Sequence, residues 1–337
     1  MRRLLIAAVQ VTVTVTLLGW IFRDAEVRSG VASALAKSDV AWMALAVAVA
    51  GLGVVAGVLR WWVFLRMQGI RIGLSRVTAI FLVGGFFNLF LFGSVGGDAA
   101  KVVCVGRERP GRHTAAVLSI LMDHMSGMVA LLGIAAVFTF GRYDLFLATP
   151  LAAGMLGTLI LLLAVSLGGM VFCVLLARWN MADRLPMPAS VRVKMTEVDK
   201  AFNALRQQWP LTLLATGISV GVMFFHFLTF YCGSRAVGGG ISLTDMLAVM
   251  PVIDVIAGLP VSISGLGVRE KSFEELLRMI AGVPVETAVL ISLTGFAATL
   301  VWSLAGGVVF CFYRPAGRRI AMREVRSELP HDVSSHE

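Results

Sequence analysis

Residues 260–270 read Pro-Val-Ser-Ile-Ser-Gly-Leu-Gly-Val-Arg-Glu, and their setting decides the fold. An apolar run, Met246–Leu259, precedes them and carries a single charge, Asp254. A helix-like segment, Val268–Ile280, follows and stops at Gly282 and Pro284. Ser262, Ser264, Gly265 and Gly267 leave the backbone bare just before that helix begins. Unsatisfied N–H groups and the helix dipole point the same way at a helix N-terminus, so the spot favours an anion. Arg269 adds a full charge, and Glu270 stands beside it. In a water-soluble chain this would be an ordinary loop. Beside an apolar run of nearly membrane length it is a candidate site.

The rest of the composition agrees with a membrane setting. The chain has 337 residues, 58% hydrophobic and 15% charged, with a mean hydropathy of +0.86. Such values belong to multi-spanning membrane proteins. The formal charge of +9 then reflects cytoplasmic loops rather than nucleic-acid binding. Cys104, Cys173, Cys232 and Cys311 are scattered, with no C-x-x-C pair, so neither a disulfide framework nor a zinc site is expected. No cofactor and no metal are expected. The opening Met-Arg-Arg and Leu4–Phe22 resemble a signal peptide, but the apolar part is too long and no A-x-A-like site follows. It reads as a retained first span.

Hydropathy places further spans at Ala41–Leu59, Ala115–Phe140, Leu145–Ala177, Leu211–Ser234 and Ala288–Tyr313. Two other apolar runs are different. Val77–Val95 is glycine-rich, holds Asn88 and runs into Gly96-Gly97-Asp98 with Lys101 beyond. Met246–Ser264 holds Asp254 and is broken by proline. If every run crossed, with the N-terminus inside, 16 Lys+Arg would face outward and 13 inward. If the two unusual runs enter and return on one side, 21 lie inside and 8 outside. The positive-inside rule selects the second arrangement. The expected fold is an all-α integral membrane domain over residues 1–313, with six crossing helices plus two re-entrant hairpins. Both termini are cytoplasmic, and 314–337 forms a disordered tail. Within the polar connection Arg178–Pro210, Met195, Val198, Phe202, Leu205 and Trp209 recur at helical spacing, which predicts an amphipathic surface helix.

The two hairpins correspond. Each has an apolar run with one polar residue, a Gly/Ser turn, and a helix opening on acid and base: Asp98 with Lys101, and Arg269 with Glu270. One enters from inside and the other from outside, the pattern of an inverted repeat. In transporters such broken elements mark a binding site near the midplane.

At these residues the chain resembles a known family. Pro260–Glu270, followed by Gly282-Val283 and Gly306-Gly307, is similar to the C-terminal signature of the flippase-like membrane family. This family is the transmembrane region of lysylphosphatidylglycerol synthases and its stand-alone relatives. Asn88 through Gly96-Gly97-Asp98 resembles its first motif. The sequence departs from the pattern where Phe92, Lys101 and His124 stand for an expected proline and two arginines. The soluble aminoacyl-transferase domain is missing from the sequence. The resemblance implies handling of phosphate-headed or isoprenoid-derived lipids in the plasma (inner) membrane, without lysyl transfer. It implies no nucleic-acid partner, but membrane lipids and a lipid-modifying enzyme as partners.

The expected head-binding set is Asn88, Gly96, Gly97, Asp98, Lys101, Ser262, Ser264, Gly265, Gly267, Arg269 and Glu270. Asp254 and Asp123 are candidate proton carriers, because a carboxylate inside an apolar run costs about 2.5–3.5 kcal/mol on insertion scales. Plainer readings stand beside these. Glu270 caps its helix and Arg269 snorkels; Asp98 is an N-cap after Gly97; His124 and His226 are packed histidines. An enzyme acting on a lipid or polyprenyl-phosphate, or an accessory subunit, is the other class of function. It would need chemistry that no motif here supplies.

Overall fold

In the computed structural model the described residues are 29, 36–90, 94–178, 207–259 and 265–314. The first span at 4–22, the amphipathic segment ahead of Trp209, Ser262 and Ser264, and the tail from 315 lie outside them. Among the described residues every regular element is helical. We number them α1 (Val40–Met67), α2 (Leu74–Phe90), α3 (Ser94–Glu108), α4 (His113–Ile134), α5 (Pro150–Arg178), α6 (Trp209–Ala236), α7 (Leu243–Ala257), α8 (Val268–Ala281) and α9 (Val285–Phe312). A π-helical stretch, Ala135–Thr139, and a 3-10 turn, Phe140–Arg142, extend α4.

Four stretches are long and apolar enough to cross a membrane: Val40–Met67, His113–Arg142, Trp209–Ala236 and Val285–Phe312. At 1.5 Å per residue each is roughly 42–45 Å long, more than the ~30 Å of a hydrocarbon core. Large apolar side chains on them face outward, including Val55, Val137, Leu213 and Val308. A surface of that kind suits lipid rather than water. This is a multi-pass membrane protein. The α5 helix carries a shorter apolar segment, Pro150–Val165.

The remaining helices form two antiparallel pairs, α2 with α3 and α7 with α8. None of the four exceeds 17 residues. That is about 21–26 Å, short of a hydrocarbon core. The two pairs begin and end at opposite ends of the molecule. At one end Arg76, opening α2, donates to Glu108 at the end of α3 (3.3 Å) and to the Arg314 carbonyl (2.6 Å). Arg109 donates to the Arg71 carbonyl, and the Tyr313 hydroxyl donates to Glu108 at 2.7 Å. Burial, and then Glu108 itself, push the Tyr313 phenol up, which keeps it a proton donor. At the other end Asp39 N–H donates to the Ala236 carbonyl (2.8 Å), Arg142 pairs with Asp245, and Thr149 meets Met279. There α7 starts and α8 ends.

The core divides in the same way. Of the two larger buried clusters, one gathers Trp61, Leu65, Ile80 and Val105 around the first pair and the other gathers Phe146, Phe227, Phe230 and Phe273 around the second. Between them α1, α6 and α9 pack on one another. Glycine allows the closest approaches. A Cβ on Gly306 would stand 2.0 Å from the Leu82 carbonyl oxygen, so α9 and α2 touch backbone to backbone.

Candidate functional site

The tip of the first pair is closed by Asn88, whose Oδ1 accepts the Gly97 N–H at 2.9 Å. A Cβ on Gly97 would lie 2.0 Å from that oxygen and 2.2 Å from the Gly84 carbonyl. Gly97 is therefore a packing necessity, and Asn88 is spent on the turn. The α3 helix starts at Ser94, before the Gly96-Gly97 pair, which places Asp98 inside the helix instead of at its N-cap. The Asp98 carboxylate sits between Lys101 and His124. Lys101 Nζ donates to Oδ1 at 3.4 Å, and His124 Nε2 of α4 lies 2.7 Å from Oδ2. Lys101 itself is buried, its ammonium 4.8 Å from the Phe81 ring centroid and 5.5 Å from that of Trp61.

The second pair turns through Gly265 (φ +74°) and Gly267 (φ +84°), a left-handed backbone that only glycine adopts freely. Gly267 is the N-cap of α8, and its N–H donates to the Glu270 carboxylate. Glu270 is fully buried. It accepts Arg269 Nη2 at 2.9 Å and the Ser292 hydroxyl at 2.8 Å, while Arg269 Nε donates to Ser292 at 2.9 Å. The Arg269 guanidinium also lies 4.5 Å from the Phe296 ring. Glu270 thus caps the helix and anchors Arg269, the plainer of the two readings. At the end of α7, Asp254 faces His226 of α6, with Nε2 3.1 Å from Oδ2.

A third polar group pairs Asp123, expected as a proton carrier, with a residue that the sequence reading did not place in any site. Arg60 reads as a loop residue, but α1 runs on to Met67 and buries it. Its Nε and Nη2 donate to the two oxygens of Asp123 at 2.6 and 2.9 Å, and Nη1 reaches Ser219 at 3.3 Å. Ser219 donates to Ser126. A bidentate pair of this kind ties α1, α4 and α6 and holds Asp123 as a structural acid. The signal was present in the sequence: an acid inside a span needs a partner, and Arg60 stood at the border of the neighbouring span.

Exposure separates these groups. The side chains of Arg60, Lys101 and Arg269 are 9%, 9% and 8% exposed, whereas those of His124 and His226 are 53% and 35%. The buried charges are internal ties. What a ligand can reach are two carboxylate–histidine pairs, one per hairpin. Counting 1.5 Å per residue, His124 lies about 16 Å from the start of α4 and His226 about 15 Å from the end of α6. Each is about a third of the way along its span-length stretch, the two counted from opposite ends of the molecule.

Residues 6–307 match the family described as the lysylphosphatidylglycerol synthase TM region. The chain belongs to that family. The match takes in both hairpins, three of the four span-length helices whole and most of the fourth, so the polar groups above are those of the family's membrane region in this chain. No curated protein matches the chain in sequence. Membership in the lysylphosphatidylglycerol synthase TM family associates the chain with membrane lipids.

Proposed function

We propose that the protein moves phosphate-headed or isoprenoid-derived lipids between the leaflets of the plasma (inner) membrane. The observation that carries this reading is the pair of helical hairpins at opposite ends, each bringing an acid against a histidine inside a span-length stretch. A polar head crossing the bilayer needs such a waypoint, because polar groups stranded in hydrocarbon cost several kcal/mol each. Two hairpins of opposite entry can alternate in opening it to either side. The lipid tail stays in the bilayer throughout.

In this account the head meets the Asp98–His124 pair and the amides near Gly96 at one tip, with the buried Lys101 supplying positive charge from behind Asp98. At the other it meets the turn containing Ser262, Ser264, Gly265 and Gly267. Asp254, with His226 against it, carries a proton. Asp123 does not, since Arg60 holds both of its oxygens. Partners are the lipids themselves and an enzyme that makes or modifies them. Both termini lie in the cytoplasm.

Reconstituted vesicles test the proposal. Tail-labelled fluorescent phosphatidylglycerol is quenched from outside, and the protected fraction reports sidedness. Wild type is expected to expose the inner-leaflet pool with the lipid chemically unchanged by mass spectrometry. Asp254→Asn is expected to insert normally and fall to the rate of empty vesicles. Full flipping by Asp254→Asn at every pH would return Asp254 to a structural role, and a chemically altered lipid would favour an enzyme.

A further inference from the structure

Two arginines line an open cavity of about 610 Å³ at the end of the molecule where the first pair begins. Arg66 comes from the last turn of α1 and Arg71 from the loop to α2, with Ile72 and Gly73 beside them. Small-molecule sites have volumes of roughly 300–1,000 Å³. Both arginine side chains are exposed. Among the described residues neither guanidinium donates to an acceptor or pairs with a carboxylate. Between Arg66 and Arg112 the sequence holds two acids, Asp98 and Glu108. Asp98 is taken by Lys101 and His124, and Glu108 is buried against Arg76 and Tyr313. Neither is left to neutralise the cavity.

The two arginines are nevertheless held in place. The Arg66 guanidinium lies 3.7 Å from the centroid of the Trp62 ring. Stacking of that kind fixes the planar fork and leaves its N–H edge unspent. Trp62 is anchored in turn, its indole N–H donating to the Ile72 carbonyl at 3.1 Å. The Gly69 and Ile70 N–H groups bond back to the Arg66 and Leu65 carbonyls and close the turn. Ile70 and Ile72 are buried on either side of Arg71, and Arg109 Nη2 donates to the Arg71 carbonyl at 2.8 Å. The loop is thereby pinned to the end of α3 with Arg71 on the outside.

Charge and shape set the chemistry of the ligand. Two like charges on one cavity repel, and an anion between them relieves the repulsion. A guanidinium offers paired N–H groups that match two oxygens of one phosphate. A phosphomonoester carries about −1.5 to −2 near pH 7, enough for both arginines, whereas a phosphodiester carries a single charge. Arg107 is exposed at the same end but lies outside this lining and stacks on no ring among the described residues. It serves as the control.

We infer that Arg66 and Arg71 form a binding site for a phosphomonoester group at the base of the first hairpin. The site lies away from both hairpin tips and does not rest on the transport reading.

Calorimetry on the full-length protein in detergent, at low salt, tests the site with three water-soluble probes. Glycerol 3-phosphate carries the phosphomonoester alone, dihexanoyl phosphatidic acid carries it on a lipid, and dihexanoyl phosphatidylglycerol is a phosphodiester. A phosphomonoester is expected to bind at least about tenfold more tightly than the phosphodiester, as one extra charge-assisted contact provides. Arg66→Gln and Arg71→Gln should each weaken that binding about tenfold with the melting temperature unchanged. Arg66→Lys should recover only part, and Arg107→Gln should bind as wild type does. Equal affinity for the first two probes identifies a soluble phosphate ligand, and tighter binding of the phosphatidic acid identifies a lipid head. Three results would overturn the inference: no phosphomonoester binding, equal affinity for the phosphodiester, or an Arg107→Gln loss as large as those at Arg66 and Arg71. The last two would mean a general basic surface only. Phosphomonoester binding without flipping would sink the transport reading alone; flipping without phosphomonoester binding would sink this site alone.

Discussion

Glu270→Ala is expected to destabilise the folded protein by about 3–5 kcal/mol, the range for breaking a buried ion pair from one side. The carboxylate is fully buried and serves three donors at once: the Gly267 N–H, Arg269 and the Ser292 hydroxyl. Its loss strands a guanidinium with one remaining hydrogen bond, to Ser292, and removes the cap of α8. Glu270→Gln should cost less, because the amide oxygen still accepts the cap. Arg269→Ala should also lower stability, leaving lipid affinity per folded molecule unchanged. Thermal unfolding and lipid binding on the same detergent preparations check both. An Arg269→Ala variant that melts normally but binds anionic lipid about tenfold more weakly would make the arginine a head contact, as a charge-assisted bond contributes ~1.5–3 kcal/mol.

The second large effect is expected at Asp123. Asp123→Ala leaves Arg60 buried among α1, α4 and α6 with only Ser219 as a partner. A loss of about 3–5 kcal/mol should follow, and Arg60→Ala should lose a similar amount for the mirrored reason. The diagnostic variant is the double one. Arg60→Met with Asp123→Leu removes both charges and keeps the volume, and replacements of that kind are often neutral or stabilising. The two single losses should therefore fail to add, with an interaction energy of roughly 0.5–3 kcal/mol in the cycle. Additive losses would mean that the two side chains act separately. Flipping by the stable double variant at the wild-type rate would agree with a purely structural pair.

Much of the architecture was legible because membrane solvent imposes simple rules. Long apolar runs give helices, and the Lys+Arg distribution singles out Val77–Val95 and Met246–Ser264 as exceptional. Gly282 after α8 and Pro284 before α9 punctuate the chain as their backbone chemistry predicts. Pairing between helices was not legible. Arg60 lies at the edge of an apolar run, and nothing local says that α1 continues to Met67 and carries it inward. His226, among Phe224, Phe225 and Phe227, reads as packing until α7 places Asp254 against it. The same holds for Ser219 with Ser126 and for Ser292 with Glu270. A hydroxyl has no preferred partner in sequence, and only crossing geometry supplies one. Asn88 and Gly97 stood in the expected head-binding set, and no local signal says that the two touch and close the turn.

The account depends on two hairpins that enter the membrane from opposite faces and return. Single cysteines in a background without Cys104, Cys173, Cys232 and Cys311 decide this, probed in intact cells with a membrane-impermeant maleimide. Gly73→Cys and Arg112→Cys flank the first hairpin, and Thr244→Cys and Ala281→Cys flank the second, all at exposed positions. The expected result is that both flanks of the second hairpin label from outside, while both flanks of the first label only after the cells are opened. Labelling of Gly73→Cys and Arg112→Cys from opposite faces would make α2 and α3 a crossing element and contradict the account.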